Sequence, residues 1–209
     1  MNTNLTNQQI ILQRAKELFM RFGIKNMTMD DIARELGMSK KTIYLYVYNK
    51  SDLVVKALRH HIQAETQVLQ QAVSNNANAI EELLTLIHFI NTHFREFDSR
   101  VYHELQKYYA DAFTEYSEYR DKTILNYFME NIRKGINQGV YRADLEAEVI
   151  SRFYVYGSDV LLNQQLFPSK KFPFIEVYRQ VVEYHLRGIV SKKGLEVLEN
   201  NKFLKTLES

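Results

Sequence analysis

The chain has 209 residues, 45% of them hydrophobic and 25% charged, enough to bury the core of one or two domains. It contains no cysteine, which excludes a disulfide framework and any thiolate metal site. The formal net charge of +2 announces no polyanionic partner, but residues 1–50 carry eight Lys and Arg against four Asp and Glu, a local +4 that leaves −2 for the rest.

In chain order, MNTNLTNQQ has neither a basic n-region nor an apolar h-region, and no apolar run approaches membrane-spanning length. The expectation is a cytoplasmic protein with no membrane partner. The first helix begins at Thr6, with Thr6 and Gln9 as a capping box and Leu5 and Ile10 as a hydrophobic staple. Ile11, Ala15, Leu18, Phe19 and Phe22 fall at helical spacing, and Gly23 ends the helix.

Thr28 to Lys50, TMDDIARELGMSKKTIYLYVYNK, reads as two short helices joined by a tight turn. Thr28 is an N-cap candidate, and Asp30 and Asp31 then place negative charge at the positive end of the helix dipole. Ile32, Ala33 and Leu36 form a buried face, and Gly37 supplies the left-handed stop. Ser39 is a second N-cap, with Ile43 and Val47 turned inward. Lys40 and Lys41 break the rule the first of these helices obeys, because the dipole disfavours cations in a first turn. A polyanion in front of them would resolve the conflict, as when the second helix of a helix-turn-helix enters the major groove of DNA. The expected DNA-binding residues are Thr28, Ser39, Lys40, Lys41, Thr42, Tyr44, Tyr46 and Lys50. Lysines and tyrosine hydroxyls suit phosphates, and Thr42 and the two lysines can reach base edges. Solvated surface lysines are the simpler account of Lys40-Lys41. Their place after Ser39 and before Tyr44-x-Tyr46 favours nucleic acid.

The order of motifs in this region carries a resemblance. Phe22-Gly23, Thr28, Ile32-Ala33, Gly37-Met38-Ser39, Tyr44-Leu45-Tyr46-Val47 and Asn49-Lys50-Ser51-Asp52-Leu53 follow one another. The segment from about Thr6 to Leu58 thereby resembles the DNA-binding domain of the TetR family of bacterial transcriptional regulators. Val47 stands where that family usually has Phe, leaving a smaller but still apolar packing site. The resemblance covers about a quarter of the chain. It implies most often a repressor, with an apolar or aromatic small-molecule effector bound in the central helices.

Beyond this head, a long helix is expected over Ser51–Ala72, followed by a polar break at Ser74–Asn78. Of 26 Phe and Tyr residues, five precede the break and 21 follow it. Further helices are expected over Ala79–Phe97, from Asp98-Ser99 through Tyr109, over Tyr116–Asn137, Leu145–Phe167 and Phe174–Ser191, with a short tail after Gly194. No period-2 pattern occurs, so the fold class is all-α: a three-helix helix-turn-helix domain over 1–50 and a larger effector-binding and dimerisation bundle over 51–209. Stripes of aromatics with polar neighbours select His88, Asn91, Tyr102, Tyr108, Tyr109, Tyr127 and Phe128 as ligand-binding candidates, although most such stripes are core. The last two long helices are apolar on more than one face, which suggests a homodimer built on Phe153, Gly157, Val160, Val181, His185 and Gly188.

An enzyme is not expected. The seven glycines form neither a P-loop nor a dinucleotide fingerprint, and no histidine completes a Glu-x-x-His or metalloprotease spacing, so no cofactor or metal is implied. The alternative is an all-α interaction or small-molecule-binding module without DNA binding. The intact Lys40-Lys41-Thr42 with Tyr44 and Tyr46 argues against it.

Overall fold

In the computed structural model, short-range caps start the helices of the head. Thr6 and Gln9 close a capping box on α1 (Asn7–Phe22), and Thr28 and Asp31 close another on α2 (Met29–Leu36). The Ser39 hydroxyl accepts the Thr42 amide at the start of α3 (Lys40–Tyr44). A fourth cap was not anticipated: Asn49 Oδ1 accepts the Asp52 amide and Asp52 Oδ2 accepts the Tyr48 amide, opening α4 (Lys50–Ser74). Then follow α5 (Ala79–Glu96), α6 (Ser99–Tyr108), α7 (Ala110–Tyr119), α8 (Leu125–Asn137), α9 (Ala147–Leu161), α10 (Phe174–Ile189) and α11 (Lys192–Asn200). The structure describes residues 6–74, 78–96, 99–161, 165–168 and 170–200, so the expected Leu5 staple and the ends at Phe97 and Asp98 lie outside them. Among the described residues no strand forms, and the all-α class holds.

The chain forms two compact units, Met1–Leu69 with Asn91–Tyr119, and Gln70–Ile90 with Arg120–Ser209. The core of the first is one cluster. Ile11, Ala15, Leu18 and Phe19 of α1 meet Ile32 and Ala33 of α2, Ile43 of α3, Val47, and Leu53, Val54 and Ala57 of α4. Val101 and Leu105 of α6 and Ala112 of α7 belong to the same cluster.

The second unit is pinned by a buried polar knot at the start of α5. Asn131 Nδ2 donates to the Ala79 carbonyl at 2.8 Å and to Glu82 Oε1 at 3.0 Å, while Lys134 Nζ holds Glu82 Oε2 at 2.6 Å. The Tyr141 hydroxyl lies 3.0 Å from both the Ala79 carbonyl and Asn131 Oδ1. Burial, with the Glu82 carboxylate nearby, pushes that phenol well above its ordinary range. The Tyr141 ring fits only because position 135 lacks a side chain, since a Cβ there would overlap the ring. Gly135→Ala is therefore expected to lower stability by about 2 kcal/mol, read from urea unfolding, by displacing the ring and its hydrogen bonds.

Beyond shifts of a few residues at helix ends, two departures from the sequence expectation stand out. The single helix expected over Tyr116–Asn137 is two helices, α7 and α8, joined by a π-helical turn at Arg120–Ile124. The turn accompanies local side-chain bonding, with the Tyr156 hydroxyl 2.7 Å from Asp121 Oδ1 and the Arg120 guanidinium 4.6 Å from the Tyr156 ring centre. Gly194 lies inside α11 instead of before it, at a position where a Cβ would strike the Val140 carbonyl.

Candidate nucleic-acid interface

The turn between α2 and α3 rests on Gly37, whose φ of +63° is left-handed and whose amide reaches back to the last α2 carbonyls. That reversal presents α3 with Ile43 fully buried and the opposite side outward. The outward side chains are Lys40, Lys41, Tyr44 at 44% exposure and Leu45 at 73%. Leu45 was missed as a contact candidate, although two inward residues at 43 and 47 place 45 opposite them. An exposed leucine among lysines and hydroxyls suits a thymine methyl group.

The other expected DNA-binding residues have mixed surroundings. Thr28 and Ser39 spend their hydroxyls on caps, and Thr42 Oγ1 lies 2.8 Å from Ser39 Oγ. Bonds from Thr28 hold the Asp31 carboxyl below its ordinary range, with Arg34 adding to the effect. Lys40 Nζ pairs with Asp30 Oδ2 at 3.1 Å. Tyr46 is half-buried and packs on the core, so its ring is partly a structural element. Lys56 ties the segment down, donating to the Tyr46 carbonyl and to Asp52 at 2.9 Å each, with its ammonium 5.2 Å from the Tyr48 ring. Lys50 is half-buried at the start of α4, where desolvation holds its ammonium below the usual range against the opposing effect of Glu104.

The ligand-binding candidates divide between the units. In the first, Tyr102 packs edge-on against Phe113 and Tyr116, Tyr109 lies half-buried against the head's core, and Tyr108 is exposed beneath Lys25 and Lys107. In the second, His88 is exposed, Tyr127 half-buried, and Phe128 fully buried with its ring 4.6 Å from Tyr154. The Asn91 side chain lies outside the described residues. Sequence reasoning passed over Tyr154, whose ring centre is 4.5 Å from that of His185.

Of the dimer candidates, Phe153 is 69% exposed, Val160 48% and Val181 38%, and a Cβ at Gly157 or Gly188 would meet nothing within 4 Å. His185 corrects the reading. It turns inward on α10, is 9% exposed, and burial alone pulls its pKa down to about 4.

A buried-based helical head with a glycine reversal and an outward, cation-rich second helix defines a helix-turn-helix DNA-binding protein. Residues 11–57 match the model of bacterial regulatory proteins of the tetR family. The chain is 24% identical over 159 residues to the HTH-type transcriptional regulator YhgD of Bacillus subtilis, covering 73% of this chain and 82% of that one. It is 25% identical over 146 residues to the transcriptional repressor KstR2 of Mycobacterium tuberculosis, covering 68% and 73%. In fold it is similar to a transcriptional regulator from Saccharomonospora viridis solved with choline, at a TM-score of 0.76 with 22% identity over 88% of this chain and 98% of that one. It is likewise similar to FadR of Bacillus subtilis solved with stearoyl-CoA, at 0.64 with 19% identity over 88% and 100%. Residues 11–57 thus carry the DNA-binding domain of that family, and along most of its length the chain is similar to DNA-binding transcriptional regulators. No helix among the described residues is long and apolar enough to cross a membrane.

Proposed function

We propose that this protein is a homodimeric repressor that binds a roughly palindromic DNA site and releases it when a small apolar or aromatic effector binds. The observation that carries the reading is the outward face of α3, where Lys40, Lys41, Tyr44 and Leu45 stand exposed on a helix whose other side is locked into the core. Phosphate contacts from the lysines would supply affinity, and Thr42, Tyr44 and Leu45 would read base edges. The exposed apolar residues of α9 and α10 support dimerisation, which matches a two-fold site with half-sites one DNA turn apart. The neighbours bound to choline and to stearoyl-CoA support a small-molecule effector, while their own ligands differ too much in chemistry to name one here.

For the effector we favour the aromatic region of the second unit, where Phe128, Tyr154 and His185 come together. His185 Nε2 is buried there without a hydrogen-bond partner, as is Ser151 Oγ three residues before Tyr154 on α9, and polar groups of this kind orient an otherwise apolar ligand. The imidazole is neutral at neutral pH, so a hydroxyl or carbonyl group suits it better than a carboxylate.

The test is selection of sites from a random DNA pool by the purified protein, followed by anisotropy titrations on the enriched duplex. Half-sites about 10–10.5 base pairs apart are expected. Lys40→Ala should weaken binding about 10-fold and reduce the log–log salt slope by about one. It also leaves Asp30 facing the phosphates without its partner, so adding Asp30→Asn should recover part of the loss. Enrichment of no sequence would overturn the reading.

A further inference from the structure

The turn that joins α1 to α2 is not self-sufficient. α1 ends at Gly23, and Ile24 immediately afterwards is 1% exposed, so its amide needs an acceptor inside the fold. Among the described residues no backbone carbonyl takes it. The acceptor is Glu104 on α6, eighty residues away, whose Oε2 receives the Ile24 amide at 2.6 Å and the Lys25 amide at 3.0 Å. Two successive amides converging on one carboxylate form a small anion nest, and bonds to a charged acceptor are the strong ones. Gly23 makes the turn with a φ of +83°, a backbone conformation that residues with side chains rarely adopt.

Other contacts grip the same region. One turn along α6, the Tyr108 ring lies 5.4 Å from Lys25 Nζ, and Val101 and Leu105 of the same helix enter the head's core. Glu115 on α7 holds Arg59 of α4 through two guanidinium nitrogens. The clamped turn leads directly into Thr28, the cap of α2, and α2 with Gly37 sets the direction of α3. Slack at residues 24 and 25 would therefore reach the reading helix.

We infer that Glu104 is a positioning residue for DNA recognition, holding the α1–α2 turn so that α3 is presented in one orientation. The DNA-reading unit then includes α6 and α7 as well as the N-terminal helices. This rests on the DNA-binding reading above. Glu104 would touch no DNA, so its removal should change affinity without changing the number of phosphate contacts.

The test uses full-length Glu104→Ala and the milder Glu104→Gln, which keeps one acceptor oxygen. Hydrogen exchange over the peptide spanning residues 22–27 should accelerate at least about 10-fold in Glu104→Ala and less in Glu104→Gln. On a duplex enriched by the wild-type protein, the Kd should rise about 10-fold for Glu104→Ala, with the salt slope unchanged and circular dichroism as wild type at the titration temperature. Should Glu104→Ala fail to fold, the same pattern at smaller amplitude in Glu104→Gln carries the test. Unchanged exchange at 22–27, or faster exchange with unchanged DNA affinity, would overturn the inference. A wild-type protein that enriched no DNA would overturn the DNA-binding reading itself, and this role with it, whatever the exchange showed.

Discussion

Phe153→Glu is expected to abolish the proposed dimer and leave the protein monomeric at micromolar concentration. Phe153 is 69% exposed on α9, between Val149 at 60% and Val160 at 48%. Ile175, Val181 and the 79%-exposed Tyr184 are likewise exposed on α10, and Gly157 and Gly188 have open space above them. Small residues between large apolar ones allow close approach of helices from a second copy, in an isologous four-helix contact. A carboxylate at the centre of such a contact would be buried in each protomer without a partner, weakening the dimer by at least about 100-fold. Sedimentation equilibrium at micromolar concentration reads the change directly. Wild-type protein that sediments only as a monomer would sink the interface. DNA affinity should fall in the same variant, because two reading heads held together reach a palindrome at high effective concentration and separate heads do not.

Acidification should expose the second large effect. His185 has a folded pKa of about 4 against an ordinary 6.5, because burial disfavours the imidazolium. Well above pH 6.5 the ring is neutral in both folded and unfolded chains and adds no pH dependence. Between 6.5 and about 4 the unfolded chain takes up a proton that the folded chain refuses, so stability falls as pH falls. The loss should amount to roughly 2.5 kcal/mol by about pH 4.5, measured as a drop in the free energy of urea unfolding at fixed protein concentration. Carboxylates elsewhere contribute to the same acid loss in any variant, so the informative quantity is the difference from His185→Gln. An identical pH profile in His185→Gln would show that the ring is not the source.

The reading head was legible because its determinants are local. Thr6 with Gln9, Thr28 with Asp31 and Ser39 with Thr42 each act over three residues, and the structure shows every one of these bonds. Gly37 was readable for the same reason, since only its own backbone angles require it: φ is +63° and a Cβ would meet nothing. The Asn49–Asp52 cap was equally local and was missed because Asn49 was read only as part of a turn. Pattern also sufficed for the inward Ile43 and Val47, and the outward Leu45 followed from the same pattern but was not drawn from it.

Sequence by itself determined the all-α class, the positions of the three head helices and the cation-rich second helix of the turn motif, because capping, periodicity and charge act within one or two turns. Tertiary structure decided everything that depends on which face meets which. On α9 and α10 two apolar stripes are equally helical, and only packing shows that Phe153 and Val181 point out while His185 points in. The π turn at Arg120–Ile124 goes with contacts made by Tyr156, a residue on another helix. Glu104 is one more charged residue on an amphipathic helix until the fold brings it to the amides of Ile24 and Lys25. A backbone N–H can be satisfied by any acceptor within 3 Å or so, and nothing in the local sequence says from how far along the chain that acceptor will come.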